Sequence, residues 1–155
     1  MTASRIRTEN RWSRLSRQEL IALGRTIVTE RLESLGCVVK SSRTGGKLDV
    51  QTPSGRSLEV FVSTQRVGGY VFWTKRRFQP ARNRFATIAL LIDAKDPEVY
   101  LVPSTEWRNS SPPFTDRDNV GKKSEPEYGI SLARSSLPAL QRYIWNEGSG
   151  GEYFR

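Results

Sequence analysis

The side chains able to do chemistry in this chain are carboxylates and cations. The sequence of 155 residues holds no histidine and one cysteine, Cys37. Ser-His and Cys-His catalytic pairs, an internal disulfide and the ordinary zinc sites are therefore excluded. Any metal used here is a hard cation held by carboxylate oxygens. Two carboxylates stand in an ordered context, Asp49 and Glu59. Lys47-Leu48-Asp49-Val50-Gln51-Thr52 alternates polar with apolar residues, Pro53-Ser54-Gly55-Arg56 supplies turn chemistry, and the alternation resumes over residues 57–64. Two antiparallel strands are predicted. With Leu48, Val50, Leu58, Val60 and Val62 on one face and Val50 opposite Val60, residues 53–57 form the loop. Gln51 then faces Glu59, Asp49 faces Phe61 and Lys47 faces Ser63, so Asp49 and Glu59 are diagonal neighbours on the non-aliphatic face.

The cations are unevenly spread. Residues 41–84 carry nine basic and two acidic residues, a net +7; residues 1–40 carry eight and four (+4), and residues 85–155 eight and ten (−2), for a total of +9. Beside Tyr70, Phe72, Trp73 and Phe78, the central excess is the pattern of a phosphate-facing surface with stacking rings, since cations release counterions and bases stack on aromatic faces. Arg43, Arg66, Lys75, Arg76 and Arg77 are the candidate phosphate contacts, with Lys47 beside them, and Tyr70 and Trp73 the candidate stacking residues. Each also has a plain structural role available, because cations solvate any surface and rings fill cores.

These residues must be positioned by a small domain. Ser16-Arg17-Gln18-Glu19 is a capping box, and Leu20, Leu23, Ile27, Leu32 and Leu35 recur at helical spacing up to Gly36. Strands are predicted at Cys37-Val38-Val39, at Tyr70-Val71-Phe72-Trp73, over 85–92 as a run buried on both faces, over 98–103 as its partner, and over 128–133. Ser104 to Trp107 starts a helical turn, 108–127 is loop, and a last helix covers 136–145. The expected fold class is α/β, a central mixed sheet flanked by the helices at 17–35 and 136–145. Residues 1–15 read as a flexible basic arm, 16–146 as one domain, and 147–155, with Gly148-Ser149-Gly150-Gly151, as a flexible tail. No apolar run approaches the length of a spanning helix, and Arg5, Arg7 and Arg11 precede no apolar stretch, so a cytoplasmic protein without membrane contact is expected.

The order helix, strand, Asp-bearing strand, Glu-bearing strand resembles the PD-(D/E)XK nuclease-like superfamily, the restriction-endonuclease-like fold, over roughly residues 16–107. Leu48-Asp49-Val50, Leu58-Glu59-Val60, Val62-Ser63-Thr64, Phe72-Trp73-Thr74-Lys75 and Tyr100-Leu101-Val102-Pro103-Ser104 resemble segments in a bacterial group on that fold. The resemblance implies Asp49 and Glu59 as Mg²⁺ ligands, a lysine two residues after the second carboxylate as the group that positions or activates water, and Glu30 as an assisting helical carboxylate. The motif is incomplete. If Glu59 is the second carboxylate, the lysine position is Phe61; if Val60 to Thr64 sets the register, Phe61 takes the carboxylate position and Ser63 that of the lysine. Lys47 from the partner strand, or Lys75, is the substitute ammonium. The resemblance thus implies a nucleic-acid-binding protein, on DNA rather than RNA, whose catalytic motif has decayed. The alternative is a Mg²⁺-dependent nuclease using Asp49, Glu59 and a migrated lysine. A protein-interaction subunit, paired with a second copy or another protein through 108–127, is the third reading.

Overall fold

A computed structural model describes residues 12–41, 46–92, 95–109 and 111–155. Helix α1 (Arg17–Ser34) begins where both arms of the capping box close: the Glu19 amide donates to Ser16 Oγ at 3.2 Å and the Ser16 amide to Glu19 Oε1 at 3.2 Å. It ends at Gly36, whose φ of 85° suits only glycine among ordinary residues. Strands β1 (Val38–Ser41), β2 (Lys47–Gln51), β3 (Ser57–Arg66), β4 (Tyr70–Thr74), β5 (Arg84–Leu91), β6 (Glu98–Pro103), β7 (Phe114–Arg117) and β8 (Glu127–Ser131) follow. A 3₁₀ helix, Ser104–Asn109, follows β6.

The central sheet has the order β1-β2-β3-β5-β6 and is mixed, because β3 and β5 run parallel while the other neighbours are antiparallel. Its two faces are covered differently. Leu48, Val50, Leu58, Val60 and Val62 share one buried cluster with Val28 and Leu32 of α1, as the alternation predicted. At Gly24 the helix approaches so closely that a β-carbon would lie 1.8 Å from Thr64 Oγ1. On the opposite face Phe61, Ala86, Ile88, Tyr100 and Val102 pack under a second antiparallel sheet of order β4-β8-β7. Rings fill that layer, Phe78 lying 5.1 Å from Phe61, 5.0 Å from Trp73 and 5.3 Å from Trp107.

Several expectations are corrected. The hairpin register is shifted by two: Val50 faces Leu58 and Leu48 faces Val60, which places Asp49 opposite Glu59 and Lys47 opposite Phe61. A shift of two leaves every side chain on its own face, so patterning cannot choose between the registers. The loop chooses. Thr52, 3% exposed, accepts from the Arg56 amide through Oγ1 at 3.1 Å and donates its own amide to the Arg56 carbonyl at 2.9 Å, closing the turn over residues 52–56. The last helix is reduced to one α turn, α2 (Leu137–Leu140), between 3₁₀ turns, because Ile144 turns extended and bridges to Tyr100. The second flank of the sheet is therefore the small sheet, not a helix. The 108–127 segment contains strand β7. At the chain's end Gly151–Phe154 is a 3₁₀ turn whose fully buried Phe154 anchors the segment to the core, although most of its other residues are exposed. Trp12, assigned to the basic arm, is buried and donates Nε1–H to the carbonyls of Ile92 and Lys95; residues 1–11 lie outside the described residues. Among the described residues no helix is long and apolar enough to cross a membrane.

Candidate functional site

The register aligns four charged residues in one row across four strands. Lys40 of β1 faces Asp49 of β2, Asp49 faces Glu59 of β3, and Glu59 faces Arg84 of β5. These side chains point away from α1, on the same face of the central sheet as Phe61. One step along β2 stands Lys47. Its ammonium lies 2.8 Å from Glu59 Oε2 and 3.6 Å from Asp49 Oδ1, while Arg84 Nη2 donates to Glu59 Oε1 at 2.8 Å. If Glu59 is the second carboxylate, the residue two positions on, where a lysine is expected, is the buried Phe61, and Lys47 is that residue's direct cross-strand partner. A cleft of about 310 Å³ lies over this row, lined by Val38, Lys40, Gln51, Asp49, Glu59 and Asn83 among others.

Electrostatics follow from this geometry. Burial pushes the Glu59 carboxyl upward, but the hydrogen bonds from Lys47 and Arg84 outweigh it and hold it below the usual carboxylate range. The hydrogen bond to Glu59 raises Lys47 above the ordinary lysine value, against a smaller effect of burial. Asp49 is the open group, with 54% of its side chain exposed. The donor set does not fit a divalent cation well. Both Glu59 oxygens already accept from cations, three cations stand in or beside the row against two carboxylates, and among the described residues no cluster of three or more acidic, His or Cys side chains exists.

The other sequence candidates disperse. Glu30 is exposed on α1, on the opposite side of the sheet, in a cleft it shares with Arg31, Trp145 and the C-terminal segment. Arg66 donates to the backbone carbonyls of Trp12 at 2.5 Å and Leu15 at 3.3 Å. Lys75 is held by Asp116 and by Asp118, the latter at 2.7 Å, and lies 4.8 Å over the Tyr128 ring; burial lowers it, but the two carboxylates prevail and raise it well above the lysine range. It is neutralised in place and cannot serve as the migrated lysine. Trp73 turns toward the aromatic core, where it is partly buried with its ring 5.0 Å from Phe78 and 6.1 Å from Trp107. Tyr70 remains on the outer face of the small sheet. Arg43 lies outside the described residues. Arg76 and Arg77 are exposed on the β4–β5 connection, together with Arg82; Arg108 reaches the same connection, donating to the Pro80 carbonyl at 3.5 Å. The one carboxylate paired with any of these four among the described residues is Glu125, 3.4 Å from Arg76. The connection ends at Asn83, which lines the Asp49–Glu59 cleft and whose carbonyl accepts from the Glu59 amide at 2.8 Å.

One functional candidate escaped the sequence, and a second was seen but not singled out. Arg84 reads as the polar residue before an apolar run, and only the parallel β3–β5 pairing places it on Glu59. Phe72 was passed over for Trp73, although Tyr70 and Trp73, three apart in a strand, must point to opposite faces. Against family models, curated proteins and solved structures the chain finds no match in any of the three.

Proposed function

We propose that this protein binds nucleic acid through its phosphate backbone, on a restriction-endonuclease-like scaffold whose metal site has been replaced by an internal ion network. The observation that carries the proposal is the basic β4–β5 connection, Arg76, Arg77 and Arg82 with Arg108 beside it, bordering the Asp49–Glu59 cleft through Asn83. Guanidinium groups with little carboxylate pairing are free to neutralise phosphates and so release the counterions condensed on a nucleic acid, and their planar forks match phosphate oxygens. Lys47 and Arg84 neutralise Glu59, so that carboxylate does not repel the backbone.

Metal-dependent cleavage is the second reading, and one observation favours it. Asp49 and Glu59 face each other directly, with the Lys47 ammonium between them. Binding and cleavage are separated by one experiment, in which affinity for single- and double-stranded DNA and RNA is measured against salt and the same substrates are incubated with Mg²⁺ or Mn²⁺. Affinity that falls steeply with salt, without cleavage, is expected. Cleavage abolished in Asp49→Ala would establish the nuclease instead. Absence of salt-sensitive binding to every substrate would overturn the proposal.

A further inference from the structure

The outer face of the small sheet carries a pair of rings, of which Phe72 is exposed and Tyr70 partly buried. Phe72 is 54% exposed, and its ring stacks on Tyr70 with centroids 6.0 Å apart and planes 25° from parallel. Tyr70 is held in place. Its hydroxyl donates to Glu127 Oε2 at 2.9 Å and shares a 2.6 Å hydrogen bond with Thr115 Oγ1, so the ring lies across the sheet over Gly129. Glycine is required there, because a β-carbon would stand 2.2 Å from the Tyr70 hydroxyl oxygen. The Arg117 guanidinium lies 4.8 Å from the centre of the same ring. Glu127, the acid beneath, is 7% exposed and is also bonded by Asn119 at 3.1 Å, so it presents no open charge to a ligand.

An exposed ring that the fold only had to tolerate would be expected to stand free and mobile. Here three strands cooperate to hold the neighbouring ring parallel to Phe72 and to bring a cation beside it. β4 runs from these rings straight into Arg76 and Arg77, so the ring pair and the phosphate-binding connection are consecutive along one chain segment. We infer that Phe72 and Tyr70 form a stacking platform for an unpaired nucleobase, so that the preferred ligand is single-stranded nucleic acid and not duplex. This rests on the nucleic-acid reading above and narrows it. A base in a duplex has both faces covered by its neighbours, and only an unpaired one can lie on an exposed ring; Arg117 is placed to meet the phosphate beside it.

The test compares an oligothymidylate with an abasic phosphodiester of the same length, which keeps the charges and lacks the rings, and with a duplex. Wild type is expected to bind the oligothymidylate more tightly than either. Phe72→Ala should weaken oligothymidylate binding by roughly five- to a hundredfold and leave the abasic oligomer unchanged; Phe72→Tyr should restore the difference. Melting temperatures of both variants near that of wild type verify that the fold persists, as the exposure of Phe72 predicts. Equal wild-type affinity for base-bearing and abasic oligomers would overturn the platform while leaving phosphate binding intact, whereas binding to none of the three would remove the nucleic-acid reading itself. A wild-type dimer that Phe72→Ala dissociates would assign the face to a second copy of the chain and overturn the inference.

Discussion

Glu59→Gln tests whether the charged row is held together as the geometry indicates. Glu59 accepts from Lys47 on one oxygen and from Arg84 on the other, both at 2.8 Å, and 23% of its side chain is exposed. A hydrogen bond to a charged group contributes about 1.5–3 kcal/mol, against about 1 for a neutral one. Glutamine keeps one acceptor but turns an NH₂ toward the second cation, and it leaves Lys47 and Arg84 without an anion between them. With partial solvent screening, a loss of about 2 kcal/mol is expected near neutral pH, or a fall in Tm of about 4–8 °C for a chain of this length. The pH dependence has a definite sign. The folded-state pKa of Glu59 is depressed, so its contribution is fully present above the ordinary carboxylate value of about 4.3 and is lost as pH falls through the lower folded value. That of Lys47 is raised, so its share is present below the ordinary lysine value of about 10.4 and is lost only as pH rises through the higher folded value. Urea unfolding of wild type and Glu59→Gln should therefore show a constant gap between those limits and a closing gap in acid. A gap below about 0.5 kcal/mol at neutral pH, within the range of ordinary surface substitutions, or one that persists unchanged in strong acid, would refute the ion network.

Gly24→Ala should destabilise the fold by about 1–3 kcal/mol in spite of alanine's better helix propensity, because the new methyl meets Thr64 Oγ1, and Thr64→Ala should recover part of the loss in the double mutant, as read by denaturant unfolding. In salt titrations of nucleic-acid binding, Arg76→Ala with Arg77→Ala should flatten the slope of log affinity against log salt by about two units at most, whereas Lys75→Ala should leave the slope unchanged, since Asp116 and Asp118 already neutralise that ammonium.

Much of the architecture was legible in the sequence for local reasons. The limits of α1 follow from Ser16, Glu19 and Gly36, whose capping chemistry acts within a few residues, and the aliphatic face of β2 and β3 follows from the two-residue period of a strand. The same period hid the register: sliding β2 against β3 by two residues changes no face, and the choice fell to Thr52, whose buried hydroxyl closes the turn. That slip decides whether Asp49 meets Phe61 or Glu59, and with it the whole character of the site. Arg84 joins Glu59 through a parallel pairing across 25 positions of sequence, which no local pattern encodes. Lys75 and Trp73 are engaged by other residues for a related reason. Asp116 and Asp118, which hold Lys75, are brought to it by the pairing of β4 with β8 and of β8 with β7, and Trp107, which packs on Trp73, comes from the 3₁₀ helix after β6. Residue type and spacing thus determined which side chains could carry charge or stack, and on which face of its own strand each stood; which of them remain available to a ligand was decided by non-local pairing, because a cation or a ring is open only where the tertiary structure has not already supplied its partner.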